Sequence, residues 1–276
     1  MMSCLGKVHA YVSSLRDPRT TNWSFHTDAR FVFPVLLGYV YLVKVGGPRW
    51  MQNREPFDVR RAILVYNAAT AVVNGYFCVQ YLRHSFLSGG YSLFCQGIDY
   101  ESGVEEVHTA TILELNWWYT WVRIADFADT FFFLARKKYS QISYLHVVHH
   151  FLVVFNSWLF ISFGSDGQPL LGLCMNPFVH VVMYSYYFLA ALGPSVRKYL
   201  SWKRYLTQLQ IAQFVVLTAH MAIPLFYDCG YPRPLALIGA AQGLLGLALF
   251  INFYAKTYVS PSNRLGKNSR QKVKDL

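Results

Sequence analysis

Histidines 146, 149 and 150 stand at i, i+3 and i+4 in the run His146-Val-Val-His149-His150. On a helix that spacing puts three imidazoles on one face. They sit in a stretch apolar enough to cross a bilayer, where an ionisable group is costly and marks a functional interior. The apolar stretch before it carries a second polar stripe, Arg123, Asp126, Asp129 and Thr130, spaced by three, three and one. A carboxylate beside an imidazole holds it in one tautomer and supports its charged form, which is what a catalytic histidine needs. One histidine alone would be read as a core residue bonded to a helix carbonyl. Three on one face, opposite two aspartates, point instead to an active site inside a membrane protein. A metal is the competing chemistry, since His at i and i+4 is a common ligand pair. A membrane di-iron oxidase would need more histidines than this layer offers. His9, His26, His84 and His108 fall in loops, termini or span ends, and His220 lies deep toward the other face, which leaves His146, His149, His150 and His180. A single metal stays open at this point.

The elements that must position these stripes are apolar helices. The chain has 276 residues, 54% hydrophobic and 14% charged, against ~25% charged in soluble domains. Its net charge of +11 could suggest nucleic acid, but the Lys and Arg cluster in short loops between apolar runs, so no nucleic-acid partner is expected. No signal peptide is read in residues 1–24, where Lys7, Arg16, Asp17 and Arg19 interrupt any apolar core. Seven apolar spans are read at 31–46, 62–83, 113–135, 142–163, 170–192, 206–227 and 234–255, most of them near the ~20 residues that cross a bilayer. The expected fold is an all-α integral membrane bundle of seven helices forming one domain over 1–276, with a polar tail from 259 to 276.

Loop charge orients the bundle. Arg49, Arg54, Arg60 and Arg61 occupy the first loop, Arg136, Lys137 and Lys138 the third, and Arg197, Lys198, Lys203 and Arg204 the fifth. The tail is basic as well. The second, fourth and sixth loops are acidic or nearly uncharged. By the positive-inside rule the odd loops and the tail are cytoplasmic, and an odd span count puts the N-terminus on the lumenal side. Depths follow from ~1.5 Å per residue: Asp129 at ~9 Å, His146 to His150 at ~6–12 Å and His180 at ~18 Å from the cytoplasmic face. Thr207, Gln210 and Gln213 fall in the same layer. The basic loops above it suit an anionic, phosphate-bearing substrate. No cysteine enters this layer; Cys174 is ~27 Å from that face.

The same topology yields three further expectations. Cys95 and Cys229 share the oxidising side and are the expected disulfide, two free thiols being the alternative. Asn22-Trp-Ser24 is a glycosylation candidate there. Lys272 and Lys274 in the tail resemble a dilysine retrieval signal of endoplasmic reticulum membrane proteins, read only from the cytoplasm.

These residues carry a family resemblance. Arg123-Ile-Ala-Asp126-Phe-Ala-Asp129-Thr130, Arg136-Lys-Lys138, Gln141, the histidine run, Asn176 to His180, Met183 to Tyr187 and Trp202-Lys-Arg-Tyr-Leu-Thr207 resemble the very-long-chain fatty-acid elongases, the ELO family. Asp17-Pro-Arg19 and Asn53-Arg-Glu-Pro-Phe57 fit it too, and the likeness covers roughly 16–258. It implies the 3-oxoacyl-CoA synthase of endoplasmic reticulum elongation, which joins malonyl-CoA to a long-chain acyl-CoA with release of CO2 and CoA. It also implies an internal acyl tunnel, no cofactor beyond the two CoA substrates, membrane lipid around the bundle and reductases and a dehydratase as partners; a homo-oligomer stays open. With the depths above, it assigns catalysis to His149 as nucleophile, with His150, His146, His180, Asp126 and Asp129 around it. CoA binding is assigned to Arg123, Arg136, Lys138, Gln141, His146, Tyr186, Lys203, Thr207 and Gln210. The run from Met183 to Tyr187 is otherwise read as packing. The chain departs from the family in having Arg123 and Asp126 where Lys and Glu are usual. It departs again in Val153-Val-Phe-Asn-Ser-Trp158, where a Met-Pro-Trp-Thr-Trp-Trp-like run is usual. The first shortens the carboxylate's reach to a partner, the second alters the volume and stiffness of a tunnel wall, and chain-length preference is affected more than reaction class. A metal-dependent lipid oxidase and a lipid-binding transporter are the alternatives from other classes.

Overall fold

A computed structural model describes residues 12–25, 27–98, 100 and 107–260. The dilysine-like pair Lys272 and Lys274 lies outside the described residues, as do Cys4, His9 and His26. Among the described residues the fold is helical throughout, with no strand. The helices are α1 (Ala29–Met51), α2 (Arg60–Leu87), α3 (Val107–Ala125), α4 (Phe127–Ala135), α5 (Tyr144–Phe163), α6 (Leu170–Ala191), α7 (Lys203–Phe226) and α8 (Arg233–Val259). Five of them, α1, α2, α5, α7 and α8, are long and apolar enough to cross a membrane. The other two expected spans are helical but more polar. Asn176, His180 and a tyrosine run dilute α6, and the third span is broken in two.

The break falls at Asp126, between α3 and α4. The Asp126 amide still bonds the Val122 carbonyl (3.0 Å), but the Asp129 amide bonds Asp126 itself (3.1 Å), a tighter i+3 turn. The expectation of one continuous helix over 113–135 is therefore corrected. The change of direction comes where the two carboxylates enter the interior. α5 starts two residues inside the expected range, because Ser143 caps it: its hydroxyl accepts from the His146 amide at 3.2 Å.

The helices are patterned inside out relative to a soluble protein. α2 buries Asn67, Thr70, Asn74, Phe77 and Tyr81, spaced by three and four. Its opposite face exposes Val65, Val72 and Val79, a heptad apart, at 71%, 73% and 62%. Apolar surface left outward is stable only in lipid, and polar side chains turned inward find partners in neighbouring helices. α2 packs along α6, and α7 along α8, for most of their lengths. The second contact is close because α8 offers glycine: a Cβ at Gly243 would overlap Thr218, and one at Gly246 the Phe214 ring.

One end of the bundle is tied twice. Cys95, in the α2–α3 connection, forms a disulfide with Cys229, in the α7–α8 connection, with Cα atoms 5.9 Å apart. Beside it the segment before α1 folds back under the bundle. Arg19 bridges Asp17 and Asp166 at 2.7 Å to each, with Arg19 4% exposed and the carboxylates 0% and 1%. Burial alone would lower the Arg19 pKa, but the two carboxylates outweigh it and hold the guanidinium above its ordinary range. The Asp17 amide and the Thr20 hydroxyl close the join by bonding the Ser162 and Ile161 carbonyls at the end of α5.

Candidate active site

α3, α5, α6, α7 and α8 enclose an apolar cavity of about 270 Å³. Its walls run along α5 from Leu145 past His149 to Ile161, ~24 Å at 1.5 Å per residue. The far end is floored by Ser165, Gln168 and His220, and Arg123 and Asn176 enter the wall on the α3 and α6 sides.

The histidine box divides its work. His146 Nε2 is 2.7 Å from the Thr130 hydroxyl, which is 3.1 Å from the Tyr39 hydroxyl. His150 is 7% exposed, and its Nδ1 is buried with no hydrogen-bond partner. The His146 and His150 rings are 4.3 Å apart, and the His149 and His150 rings 5.7 Å. Of the three, His149 alone lines the cavity. Packing and hydrogen bonds thus hold two imidazoles against α1 and α4 and leave the third turned to the apolar space. The physical reason lies in the spacing: i and i+4 share one strip of α5, while i+3 is rotated toward α8, where His149 meets the Phe250 ring at 6.3 Å.

The carboxylate stripe is held from the opposite side. Arg123 Nη1 is 3.2 Å from Asp126, each side chain 3% exposed. The same guanidinium donates to Asn74 Oδ1 (2.9 Å) and to Nδ1 of the His180 ring (3.0 Å), and it lies 4.4 Å from the centre of the Tyr119 ring. The Tyr119 hydroxyl donates to Asn74 and Asn176, 3.2 Å from each. The Tyr184 hydroxyl donates to Asp129 at 2.6 Å and reaches Asp126 at 3.3 Å. One cation and one phenol therefore bind a buried and a half-buried carboxylate together, and the cation also orients a histidine. Charged groups this deep persist only when satisfied in this way.

Sequence reasoning brought together Arg123, Asp126, Asp129, Thr130 and the four histidines, and the structure places all of them in one layer. It missed Asn74, Asn176, Tyr119 and Tyr184. A signal existed for Asn74, since Asn67 and Asn74 recur a heptad apart inside an apolar span. Tyr184, read as packing, is corrected to a polar member of the network; among 20 tyrosines nothing in the sequence singled it out. Asp129 bonds Tyr184 and not His150. The departure at Arg123 and Asp126 has a geometric account: the cation is longer than Lys where the carboxylate is shorter than Glu, and the pair still closes.

The remaining residues expected to bind substrate surround the ends of the helices nearest the histidine box. Arg136, Lys138 and Gln141 are exposed on the α4–α5 connection, and Lys203 is exposed at the start of α7. Thr207 is buried, and Gln210 donates to the Met183 sulfur at 3.6 Å. Tyr186 is buried with its ring 4.9 Å from that of Trp202. Asn22 is exposed before α1. Among the described residues no group of three or more His, Cys, Asp or Glu is arranged to hold a metal ion.

Residues 24–265 match the family model described as ELO, the GNS1/SUR4 family. The chain belongs to the ELO family. It is 38% identical over 264 residues to a very long chain fatty acid elongase of Aedes aegypti, covering 96% of this chain and 73% of that protein. It is 39% identical over 259 residues to very long chain fatty acid elongase 4 of Homo sapiens, covering 93% and 80%. With very long chain fatty acid elongase 7 of Drosophila melanogaster the figures are 39% over 245 residues, 88% and 73%. The ELO match takes in every element that lines the cavity, so the apolar space and the His149 wall lie wholly within the family's domain.

Proposed function

We propose that this ELO protein is a very-long-chain 3-oxoacyl-CoA synthase of the endoplasmic reticulum membrane. The observation that carries the reading is that His149, alone of its box, opens onto an apolar cavity shared with Arg123 and Asn176. An acyl chain occupies the cavity with its thioester at His149, and the CoA lies toward the basic loops, held by Arg136, Lys138, Gln141, Lys203, Thr207, Gln210 and Tyr186. A His149 ring nitrogen attacks the thioester carbonyl, CoA leaves as its thiolate, and an acyl-imidazole remains. Malonyl-CoA then enters and loses CO2. The electron pair left on its α-carbon attacks the acyl carbonyl, forming the carbon–carbon bond and freeing His149. His180 and Arg123 stabilise the enolate oxygen, and His146 sits near the thioester. His150, Asp126 and Asp129 fix the frame. The reaction needs no metal or other cofactor, and its 3-oxoacyl-CoA product passes to a reductase and a dehydratase.

In the membrane, α3 with α4 forms a sixth crossing and α6 a seventh, with the tail and the basic loops cytoplasmic. The Arg19 cluster and the disulfide then close the lumenal end. Purified protein given acyl-CoA and labelled malonyl-CoA tests the reading. Labelled CO2 and a product two carbons longer are expected. Binding of acyl-CoA with no CO2 would indicate a transporter, and loss of activity on exhaustive chelation a metal enzyme.

A further inference from the structure

Beyond His149, Arg123 and Asn176 the cavity is apolar except for two polar levels. At its far floor the amides are spent on neighbours. Gln168 Nε2 donates to the His220 carbonyl (2.7 Å) and Gln168 Oε1 accepts from the Gln96 amide (2.9 Å). Asn116 donates to the Ser165 carbonyl (2.6 Å) and accepts from Tyr81 (2.7 Å). The second level is different. Asn156 on α5, Gln213 on α7 and Gln242 on α8 all line the cavity. His149 against Phe250 and Phe160 against Gly239 put Asn156 and Gln242 at one height, while Gly243 against Thr218 and Gly246 against Phe214 put Gln213 about a turn nearer His149. Ser157 stands beside them but gives its hydroxyl to the Val153 carbonyl at 2.9 Å. Asn156 Oδ1 and Gln242 Oε1 are buried with no hydrogen-bond partner among the described residues.

Buried amides without partners are costly, and they favour whatever ligand supplies the missing bonds. An unadorned hydrocarbon chain supplies none. We infer that the acyl chain this enzyme takes carries a hydroxyl near its middle, held by Asn156 and Gln242. This rests on the synthase reading. A hydroxyl both donates and accepts, so it pairs with an amide oxygen or an amide nitrogen. Its position follows from depth. Asn156 is seven residues beyond His149 on the same helix, ~10 Å along the axis. An extended chain advances ~1.25 Å per carbon, given bonds of ~1.5 Å, so the amide level faces roughly carbons 7 to 10 of an acyl group bound at His149.

The test compares acyl-CoA substrates of one length on the wild-type enzyme: saturated, cis-unsaturated at carbon 9, and hydroxylated at carbon 3, at carbon 9 or at the last carbon. The carbon-9 hydroxyl should raise kcat/KM about five- to twentyfold over the saturated chain, one or two net hydrogen bonds' worth, while the other hydroxyl positions should not. In the double variant Asn156→Leu, Gln242→Leu that ratio should fall to about one or below. Equal use of the saturated and carbon-9 hydroxylated chains by wild type overturns the inference while leaving the synthase reading intact. So does a preference for the unsaturated chain, or an unchanged ratio in a folded, active double variant. Turnover of none of the chains would overturn the synthase reading and the inference together.

Discussion

The Arg123–Asp126 pair can be tested by exchanging its reach. Arg123→Lys keeps the charge but shortens the side chain and removes the fork that serves Asp126 at 3.2 Å, Asn74 at 2.9 Å and His180 at 3.0 Å at once. A lysine offers one ammonium in place of that fork. Asp126, 2% exposed, would then keep only the long Tyr184 contact of 3.3 Å. Stripping a buried charge of its partner costs roughly 3–5 kcal/mol. At ~2–4 °C per kcal/mol for a large domain, the melting temperature in detergent should fall by roughly 6–20 °C. Asp126→Glu on its own should also destabilise, because the longer carboxylate must crowd the same guanidinium. The double variant Arg123→Lys, Asp126→Glu exchanges reach on both sides of the pair at once. It should recover most of the loss, with a coupling of at least ~2 kcal/mol between the two positions. The assay is SDS-induced or thermal unfolding of the four proteins in one micelle, with labelled-malonyl turnover measured alongside. Additive losses would refute the pairing, and an unaltered Arg123→Lys protein would refute the claim that this guanidinium holds the layer together.

His149→Ala should abolish condensation in folded protein, and mass spectrometry of wild type given acyl-CoA alone should find an acyl adduct on His149; near-normal turnover of the variant would remove the nucleophile assignment. Cys95→Ser or Cys229→Ser opens a link spanning 134 residues and should cost ~2–5 kcal/mol, read as a lower melting temperature that reductant reproduces in wild type but not in the variants. Ser140→Cys, in the α4–α5 connection, should react with a membrane-impermeant maleimide in sealed microsomes, and Asp228→Cys, in the α7–α8 connection, should react only after permeabilisation; the reverse pattern would invert the proposed topology.

The sequence by itself determined the class of fold and the residues of the reaction layer. Helical spacing is local: i, i+3 and i+4 place three imidazoles on one face whatever surrounds them. Charge in apolar runs is similarly informative, because lipid tolerates so little of it. The tertiary structure decided what depends on neighbours. Which of three adjacent histidines meets the cavity is fixed by Thr130 and Tyr39 taking His146, and by α1 and α4 packing over His150. The role of Tyr184 exists only because α6 crosses the break at Asp126. That break was not legible, since its cause is a set of partners more than 50 residues away in the chain: His180 and Tyr184 are separated from Arg123 and Asp126 by 57 and 58 positions. The amide level at Asn156 and Gln242 was hidden for the same reason. Each amide lies in its own span, and only the packing of α5 against α8 sets the two at one height in one cavity.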